Sequence, residues 1–565
     1  MSRGARLRRG LTAVAASALV VPLAAVLPAR AVGAAPAAPA AAEAAAETGA
    51  EGAGEGVPAV AWSPCAGFPG YDCATYRVPL DHDHPRRASI ELALTRRPAD
   101  DQAGKVGSLF LNPGGPGGAG LAFARGASRV LFNDEIRRRF DIVGFDPRGV
   151  GESTPVQCFP SDEAFEATLG PVPSVPLGAD EIALTLRAHR TWTDNCRANG
   201  GPLLHHISTL NVAKDLDLLR RAVGDRKLTY AGYSYGTLIG ATYANIHPDK
   251  VRALLLDGMV DPAERTRRSL LNELNRAGGF ETALRGFLEL CDASGAGCAF
   301  SAGGSRAKFA ALRERLRRGP VALPGGATLT ISALTDRVAG DLYDPGAFTE
   351  LATLLQAWYS VAFPATATTA TGRTTTAAKA RAAAAARAAG SFRPLAEAYS
   401  YNAADALYAV NCVDKRLPRR QTAWPAIAKG FEAVHRTFGR HQAYGSAVCA
   451  TWPVVTSERY AGPWNRRTSN TLLIVGTYYD PATPYLFAQR AARQLRRARL
   501  LSLAGYGHTS ILSSTCIDEK TDHYILTGAV PPAGTVCQPD SLPFEPAAAA
   551  ASAAERAALA EAVGR

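Results

Sequence analysis

Metal and phosphate chemistry leave no signature in this chain. Its ten cysteines and ten histidines form no C-x-x-C and no H-E-x-x-H, and His82-Asp83-His84 is too small a group to hold an ion on its own. The glycine-rich stretches lack the Lys-Ser/Thr of a Walker loop, and no cofactor is expected. Lysine is scarce beside arginine, a bias of GC-rich coding more than of function. The formal charge of +12 is spread along the chain. With no basic stripe interleaved with aromatics, it gives nucleic acid nothing to follow. What is present is bulk: 565 residues, 47% of them hydrophobic, suffice for one large core with a sizeable insertion.

The N-terminus carries its own pattern. Arg3, Arg6, Arg8 and Arg9 precede the apolar stretch 11–27, which only small residues and Pro22 interrupt, and Ala29-Arg30-Ala31 has the A-x-A form of a cleavage site. This is the order of a signal peptide over residues 1–31. Its apolar core is shorter than the ~20 residues a spanning helix needs, so a secreted, extracellular protein without stable membrane association is expected. Removing 1–31, with its five arginines and no acid, lowers the formal charge from +12 to about +7. Apart from Val32 and Thr48, residues 32–56 are Ala, Gly, Pro and Glu, which cannot build a core, and read as a leader or pro-segment. In an exported chain ten cysteines point to disulfides. They fall in local couples: Cys65/Cys73, Cys158/Cys196, Cys291/Cys298, Cys412/Cys449 and Cys516/Cys537. Each couple flanks one predicted loop region, so pairing within couples is the expectation, although the sequence permits other connectivities.

From Trp62 onward short apolar runs alternate with helical patterns. The runs are 76–80, 90–95, 108–112, 141–146, 228–231, 251–257, 471–476 and 500–503. Several are continuous and rich in Leu or β-branched residues, as strands buried on both faces are. Alternation with helices predicts an α/β fold with a mostly parallel eight-stranded sheet, its first two runs forming an antiparallel edge hairpin. The alternation stops after Asp261. Residues 262–465 read as a helical cap inserted into the core, with helices expected over 271–290, 309–316, 348–361 and 395–410. Within it, 365–390 is an Ala/Thr/Arg-rich segment of low complexity. The two halves of the core are then 57–261 and 466–545, followed by an Ala-rich tail, 546–565.

Gly232-Tyr233-Ser234-Tyr235-Gly236 follows one apolar run and opens a helix. This is the G-x-S-x-G nucleophile elbow of the α/β-hydrolase fold in its strand–turn–helix context, with Ser234 as nucleophile. A serine hydroxyl needs a base, and the base an orienting carboxylate, in the chain order Ser, Asp/Glu, His. His508, in Gly505-Tyr506-Gly507-His508-Thr509, follows the last run and suits the base better than His523, which sits in a helical stretch. Asp480 lies four residues past Gly476, in a loop fixed by Pro481 and Pro484. It is preferred as the acid over Asp257 and Asp261, which end the sixth run and read as turn and capping residues. Asn112-Pro113-Gly114-Gly115-Pro116-Gly117-Gly118 exposes backbone N–H groups with no side chains in the way, so Gly115, or Gly114, would pair with the N–H of Tyr235 as an oxyanion hole.

These segments carry a family resemblance. Pro113-Gly114-Gly115-Pro116-Gly117 is similar to the H-G-G-P-G loop of prolyl aminopeptidases, with Pro113 where they carry His. Asp146-Pro147-Arg148-Gly149-Val150-Gly151-Glu152-Ser153 matches their D-x-R-G-x-G-x-S stretch. With the elbow, Asp480-Pro481-Ala482-Thr483-Pro484 and the Gly-Tyr-Gly-His segment, the chain resembles secreted actinobacterial tripeptidyl aminopeptidases from about residue 60 to 540. The resemblance implies a serine exopeptidase that releases short units, tripeptides, from peptide N-termini. A secreted carboxylesterase of the same fold is the alternative, and a non-catalytic binding protein is disfavoured by the complete triad. An epoxide hydrolase or dehalogenase would carry Asp in the elbow. A monomer acting on peptides is expected.

An exopeptidase must read the free α-ammonium, and a buried ammonium needs a carboxylate. Acidic residues near the cap do this in prolyl aminopeptidases. The cap offers Glu273, Asp344, Glu397, Asp405 and Asp414, of which Asp414 is favoured because Cys412 would anchor its loop. The low-complexity segment has no apolar periodicity to bury. Deleting residues 366–389 should leave the rate of substrate cleavage within a few-fold of wild type, and loss of folding, read by circular dichroism, would refute that reading.

Overall fold

The computed structural model describes residues 57–364, 401–456 and 458–545. The expected signal peptide and leader, the low-complexity segment with Glu397, and the Ala-rich tail lie outside the described residues. Twelve strands are present among those described: β1 (Ser63–Pro64), β2 (Asp72–Pro79), β3 (Ser89–Arg97), β4 (Gly107–Asn112), β5 (Phe140–Phe145), β6 (Leu228–Tyr233), β7 (Val251–Asp257), β8 (Val321–Ala322), β9 (Thr328–Leu329), β10 (Leu472–Tyr479), β11 (Ala498–Tyr506) and β12 (Val536–Cys537). All but β8 and β9 form one ten-stranded sheet in the order β1-β2-β3-β5-β4-β6-β7-β10-β11-β12. The eight expected runs are its eight long strands. β1 and β12, two residues each, extend the edges and are too short to leave an apolar run. β1/β2, β2/β3 and β3/β5 pair antiparallel, and every other neighbour pair in the sheet is parallel.

Burial on both faces explains the continuous apolar strands. Every residue of β5 and β6 is buried. On one face Leu109, Ile142, Leu255, Val475 and Leu503 pack against helices Gly120–Val130 and Thr515–Thr527. The other face packs Phe110, Val143, Tyr230 and Leu254 against helices Thr209–Ala222 and Gly236–Ile246. At about 1.5–3 kcal/mol for each fully buried aliphatic or Phe side chain, these two layers make the sheet the rigid part of the molecule. Register then aligns the strand ends: Asn112 lies beside Gly232, Tyr233 beside Asp257, and Asp257 beside Val475. The loops that leave these ends therefore meet above one edge of the sheet.

Between β7 and β10 the chain is mainly helical. The expected helices are present as Ser269–Ala293, Ser305–Arg317, Phe348–Ala362 and Ala403–Asp414. Helices Ile331–Asp341, Trp424–Val434 and Gly439–Ala447 and the β8/β9 hairpin join them. This insertion has its own apolar cluster, in which Phe280, Leu284 and Phe287 of the longest helix meet Leu312, Leu334, Val338, Leu351 and Leu355. A second excursion, between β5 and β6, sends helix Ala179–Asn199 against it: Trp192 donates Nε1–H to Asp405 (2.7 Å) and packs edge-on to Tyr408. No helix among the described residues is long and apolar enough to cross a membrane.

All ten cysteines are paired, and each bond joins a cysteine to its neighbour in the sequence: Cys65–Cys73, Cys158–Cys196, Cys291–Cys298, Cys412–Cys449 and Cys516–Cys537. Such a set belongs to an oxidising compartment and not to a reducing cytoplasm. Protein denatured without reductant should therefore take up no thiol-alkylating reagent, and peptide mapping should return these five couples. Mass spectrometry finding ten alkylated cysteines would contradict the pairing.

Candidate active site

β6 ends at Tyr233 and a helix begins at Gly236, so the chain reverses at Ser234. Ser234 has φ +54°, a left-handed conformation that costs a non-glycine residue roughly 1–3 kcal/mol. The turn is held from outside: Ser234 N–H donates to the Asp257 carbonyl (2.9 Å). It is also crowded. A Cβ on Gly232 would come within 2.5 Å of the Gly236 carbonyl oxygen, so the flanking positions are glycines because the backbone leaves no space.

The loop after β4 lies directly on this elbow. A Cβ on Gly114 would stand 2.9 Å from Ser234 Cβ and from Tyr235 N. Gly114 N–H is already committed, donating to Asn112 Oδ1 (3.0 Å). The N–H groups of Gly115 and Tyr235 have no acceptor among the described residues, and Gly115, Ser234 and Tyr235 line one pocket. Of the two glycines considered from the sequence, Gly115 is thus the one with a donor to offer.

Asp480 and His508 are brought together by β10 and β11. Both Asp480 oxygens lie 2.9 Å from His508 Nδ1. The carboxylate also accepts from the N–H groups of Ala482 (2.9 Å), Thr483 (2.7 Å) and Thr509 (3.2 Å) and from the Thr483 hydroxyl (2.9 Å). This fixes the orientation of a carboxylate that is 2% exposed. His508 N–H donates to the Tyr343 carbonyl (2.8 Å), and the Tyr343 ring stands edge-on to the imidazole at 5.1 Å, so the insertion also holds the histidine. The hydrogen bonds of the ring go to Asp480 and Thr483 and none goes to Ser234. The two residues nonetheless flank one turn: Ser234 is bonded to Asp257, and a Cβ on the next residue, Gly258, would lie 3.4 Å from His508 Cε1. Such contacts are commonly long until a substrate is bound.

The rivals sit elsewhere. Asp257 gives its carboxylate to Ser510 N–H (2.9 Å) and Oγ–H (2.8 Å). Burial, opposed by those bonds and aided by the neighbouring Asp480, pushes its pKa up to about 6. Asp261 caps helix Pro262–Arg267 through Glu264 N–H, and His523 lies in helix Thr515–Thr527. The Asp146–Ser153 motif is a brace. Arg148, fully buried, donates to both oxygens of Asp215 (2.7 Å each) and to the carbonyls of Pro79, Leu80 and His206, while Asp215 also holds His82 (2.8 Å).

Over Ser234 lies a cavity of about 210 Å³, walled on the far side by the insertion. Asp414, favoured from sequence as the ammonium partner, is not on its wall. It is 3% exposed and accepts from Thr209 N–H (3.1 Å) and Oγ–H (2.5 Å), and that hydroxyl also meets the Tyr235 phenol (2.5 Å). Its task here is to support Tyr235. Asp405 accepts from Trp192 and from Cys158 N–H, and Asp344 from Gly346 N–H. Of the insertion acids named from sequence, Glu273 is the one on the wall among the described residues. It meets Lys415 (2.8 Å), Arg276 (3.3 Å), Gln442 (2.6 Å) and Ser446 (3.2 Å). Burial works to raise its pKa, but Lys415, Arg276 and Arg265 hold it well below the usual carboxylate range. The wall residues Arg265, Arg276, Lys415 and Gln442 escaped sequence reasoning, because they form no motif and each belongs to a different helix or its cap.

The comparisons agree with this geometry. A family model described as "TAP-like protein" matches residues 434–537, and one described as "alpha/beta hydrolase fold" matches residues 107–292. Serine protease Hip1 of Mycobacterium tuberculosis is 34% identical over 497 residues, 85% of this chain and 91% of that protein. Tripeptidyl aminopeptidase of Streptomyces coelicolor is 30% identical over 480 residues, covering 83% and 84%. Carboxylesterase B of Mycobacterium tuberculosis is 32% identical over 506 residues, covering 86% and 92%. With a mostly parallel sheet, a serine on the elbow and relatives of this kind along most of its length, the chain is a serine hydrolase and belongs to the tripeptidyl aminopeptidase-like family of α/β-hydrolases.

Proposed function

We propose that this protein is a secreted serine peptidase that releases short units, tripeptides, from peptide N-termini. The observation that carries the chemistry is the two-oxygen grip of Asp480 on His508 Nδ1. It fixes the tautomer, so Nε2 is the nitrogen left to take the Ser234 proton. Ser234 Oγ then attacks the scissile carbonyl carbon, and the carbonyl oxygen takes up negative charge against the N–H groups of Gly115 and Tyr235. His508 returns the proton to the leaving amine. Water, deprotonated by His508, then attacks the acyl carbon, the bond to Ser234 Oγ breaks, and His508 returns the proton to that oxygen. The names of two relatives, a serine protease and a tripeptidyl aminopeptidase, support a peptide substrate. The wall of insertion residues opposite Ser234 supports entry by a chain end.

A carboxylesterase is the second reading. It is favoured by the absence, among the described residues, of an uncommitted acidic group on the pocket wall to receive an α-ammonium, Glu273 being bonded already.

Ser234→Ala should lower turnover about a million-fold and abolish labelling by a fluorophosphonate, with circular dichroism unchanged. Asp480→Asn should cost about four orders of magnitude in kcat. Asp257→Asn should cost far less, because its partner is Ser510 and not the imidazole. Gly114→Ala should also be severe, as its Cβ would meet the Tyr233 carbonyl at 2.5 Å. Labelling that survives in Ser234→Ala would move the nucleophile elsewhere. For the exopeptidase reading, acetylating the N-terminus of a good tripeptide anilide should cost roughly 2–4 kcal/mol in kcat/KM. Equal rates for free and acetylated peptides, with faster cleavage of short-chain nitrophenyl esters, would instead support the esterase.

A further inference from the structure

The pocket above Ser234 carries more positive charge than its acid can neutralise. Arg265, Arg276 and Lys415 line it with a single carboxylate, Glu273. Glu273 meets both Lys415 (2.8 Å) and Arg276 (3.3 Å), and the buried Asp414, off the wall, is the other carboxylate acting on Arg265, so three cations share two acids. Arg276 directs Nε–H to the Ala482 carbonyl (3.3 Å). Arg265 is 5% exposed. It donates one N–H to Asn411 Oδ1 (2.6 Å) and lies 5.7 Å from the centre of the Tyr235 ring. Its Nε–H is buried and has no acceptor among the described residues. Asn272, 1% exposed and on the same wall, has an Oδ1 with no donor among the described residues. A buried cation with an unmade hydrogen bond is among the costlier groups a fold can hold. Here Arg265 and Asn272 both line the cavity over the nucleophile, where His441 Nδ1 is also buried without a hydrogen-bond partner among the described residues.

We infer that this pocket binds a carboxylate of the substrate close to the scissile bond, with Arg265 as its principal partner, Arg276 and Lys415 adding to the field, and Asn272 accepting a peptide N–H. The carboxylate has two possible sources, an Asp or Glu side chain or the C-terminus of a short peptide. The inference deepens the peptidase reading and rests on Ser234 marking the reacting carbonyl. It also carries a pH signature. The charged groups facing Lys415 are Glu273, Arg265 and Arg276. Burial and the two guanidinium groups, opposed by Glu273, bring Lys415 down to about 7. Burial raises the phenols of Tyr235 and Tyr408, which stay neutral through this range. Above neutrality the pocket therefore loses a positive charge and with it part of its hold on an anion.

The test is a series of peptidyl anilides that differ only in Glu or Gln at each of the three positions before the cleaved bond. Tetrapeptides ending in a carboxylate or an amide form the second arm. The readout is the kcat/KM ratio within each pair, or the Kd ratio on Ser234→Ala where turnover is too slow to measure. One pair should favour the acid at least tenfold at pH 6. That ratio should fall below threefold in Arg265→Gln, and should shrink in the wild type between pH 6 and 8.5. The arm in which it appears identifies the source. Ratios within threefold of one for every pair, or a preference that survives in Arg265→Gln, would overturn the inference. Should Arg265→Gln fail to fold, Lys415→Met and the wild-type pH series decide, and a preference indifferent to both overturns it. Fluorophosphonate labelling of the same preparations separates the two readings. Labelling at Ser234 without charge preference sinks the anion site alone, and preference with labelling elsewhere sinks the nucleophile alone.

Discussion

The site depends on one residue that takes no part in the proposed chemistry, the last residue of β7. Asp257 uses its carbonyl to accept the Ser234 N–H and its carboxylate to accept the N–H and hydroxyl of Ser510, two residues past His508. One buried residue, through its backbone carbonyl and its carboxylate, thus joins the Ser234 turn to the His508 loop, from the middle of a sheet whose register is set by layers of apolar side chains on both faces. Because strands are stiff and their ends aligned, the strained turn at Ser234 is over-determined by its surroundings, the condition under which strain persists.

The insertion is organised on a different principle. It carries an apolar cluster of its own and reaches the active site through few contacts. Tyr343 supplies a carbonyl and a ring edge to His508, and Tyr401 donates its hydroxyl to the Gly117 carbonyl of the glycine-rich loop. The Cys412–Cys449 bond ties the helix that ends beside Lys415 to the turn after the helix bearing Gln442 and Ser446. Ser234, Asp480 and His508 are thereby placed by strand ends, while most of the pocket lining comes from the insertion, which touches the His508 loop through Tyr343. Relatives named as peptidases and as a carboxylesterase fit such a division.

Much of this was legible in the sequence, and the reason differs from part to part. The long strands were readable because burial on two faces demands continuous apolar runs, and Ser234, Asp480 and His508 because each follows such a run at a short, glycine- or proline-marked distance. Asp257 was weighed as an acid and Asp480 preferred, but the bond from Asp257 to Ser510 could not be read, since Ser510 lies 253 residues away. The preference for Asp414 rested on a neighbouring cysteine. The disulfide is there, yet the side chain turns to Thr209, while Glu273, on a different helix, lines the cavity. Lys415, the next residue after Asp414, is buried against Glu273. Helix periodicity says which face is apolar but not which partner it meets, so the cavity's charges stayed hidden until the helices were packed.

The cysteine pairing has a consequence for how the molecule comes to exist. Every bond joins a cysteine to the next one in the chain, across separations of 8, 38, 7, 37 and 21 residues. A chain emerging from its N-terminus into an oxidising space presents both members of one couple before the first member of the next. Correct partners are then selected by order of arrival, and a search among ten thiols never has to begin.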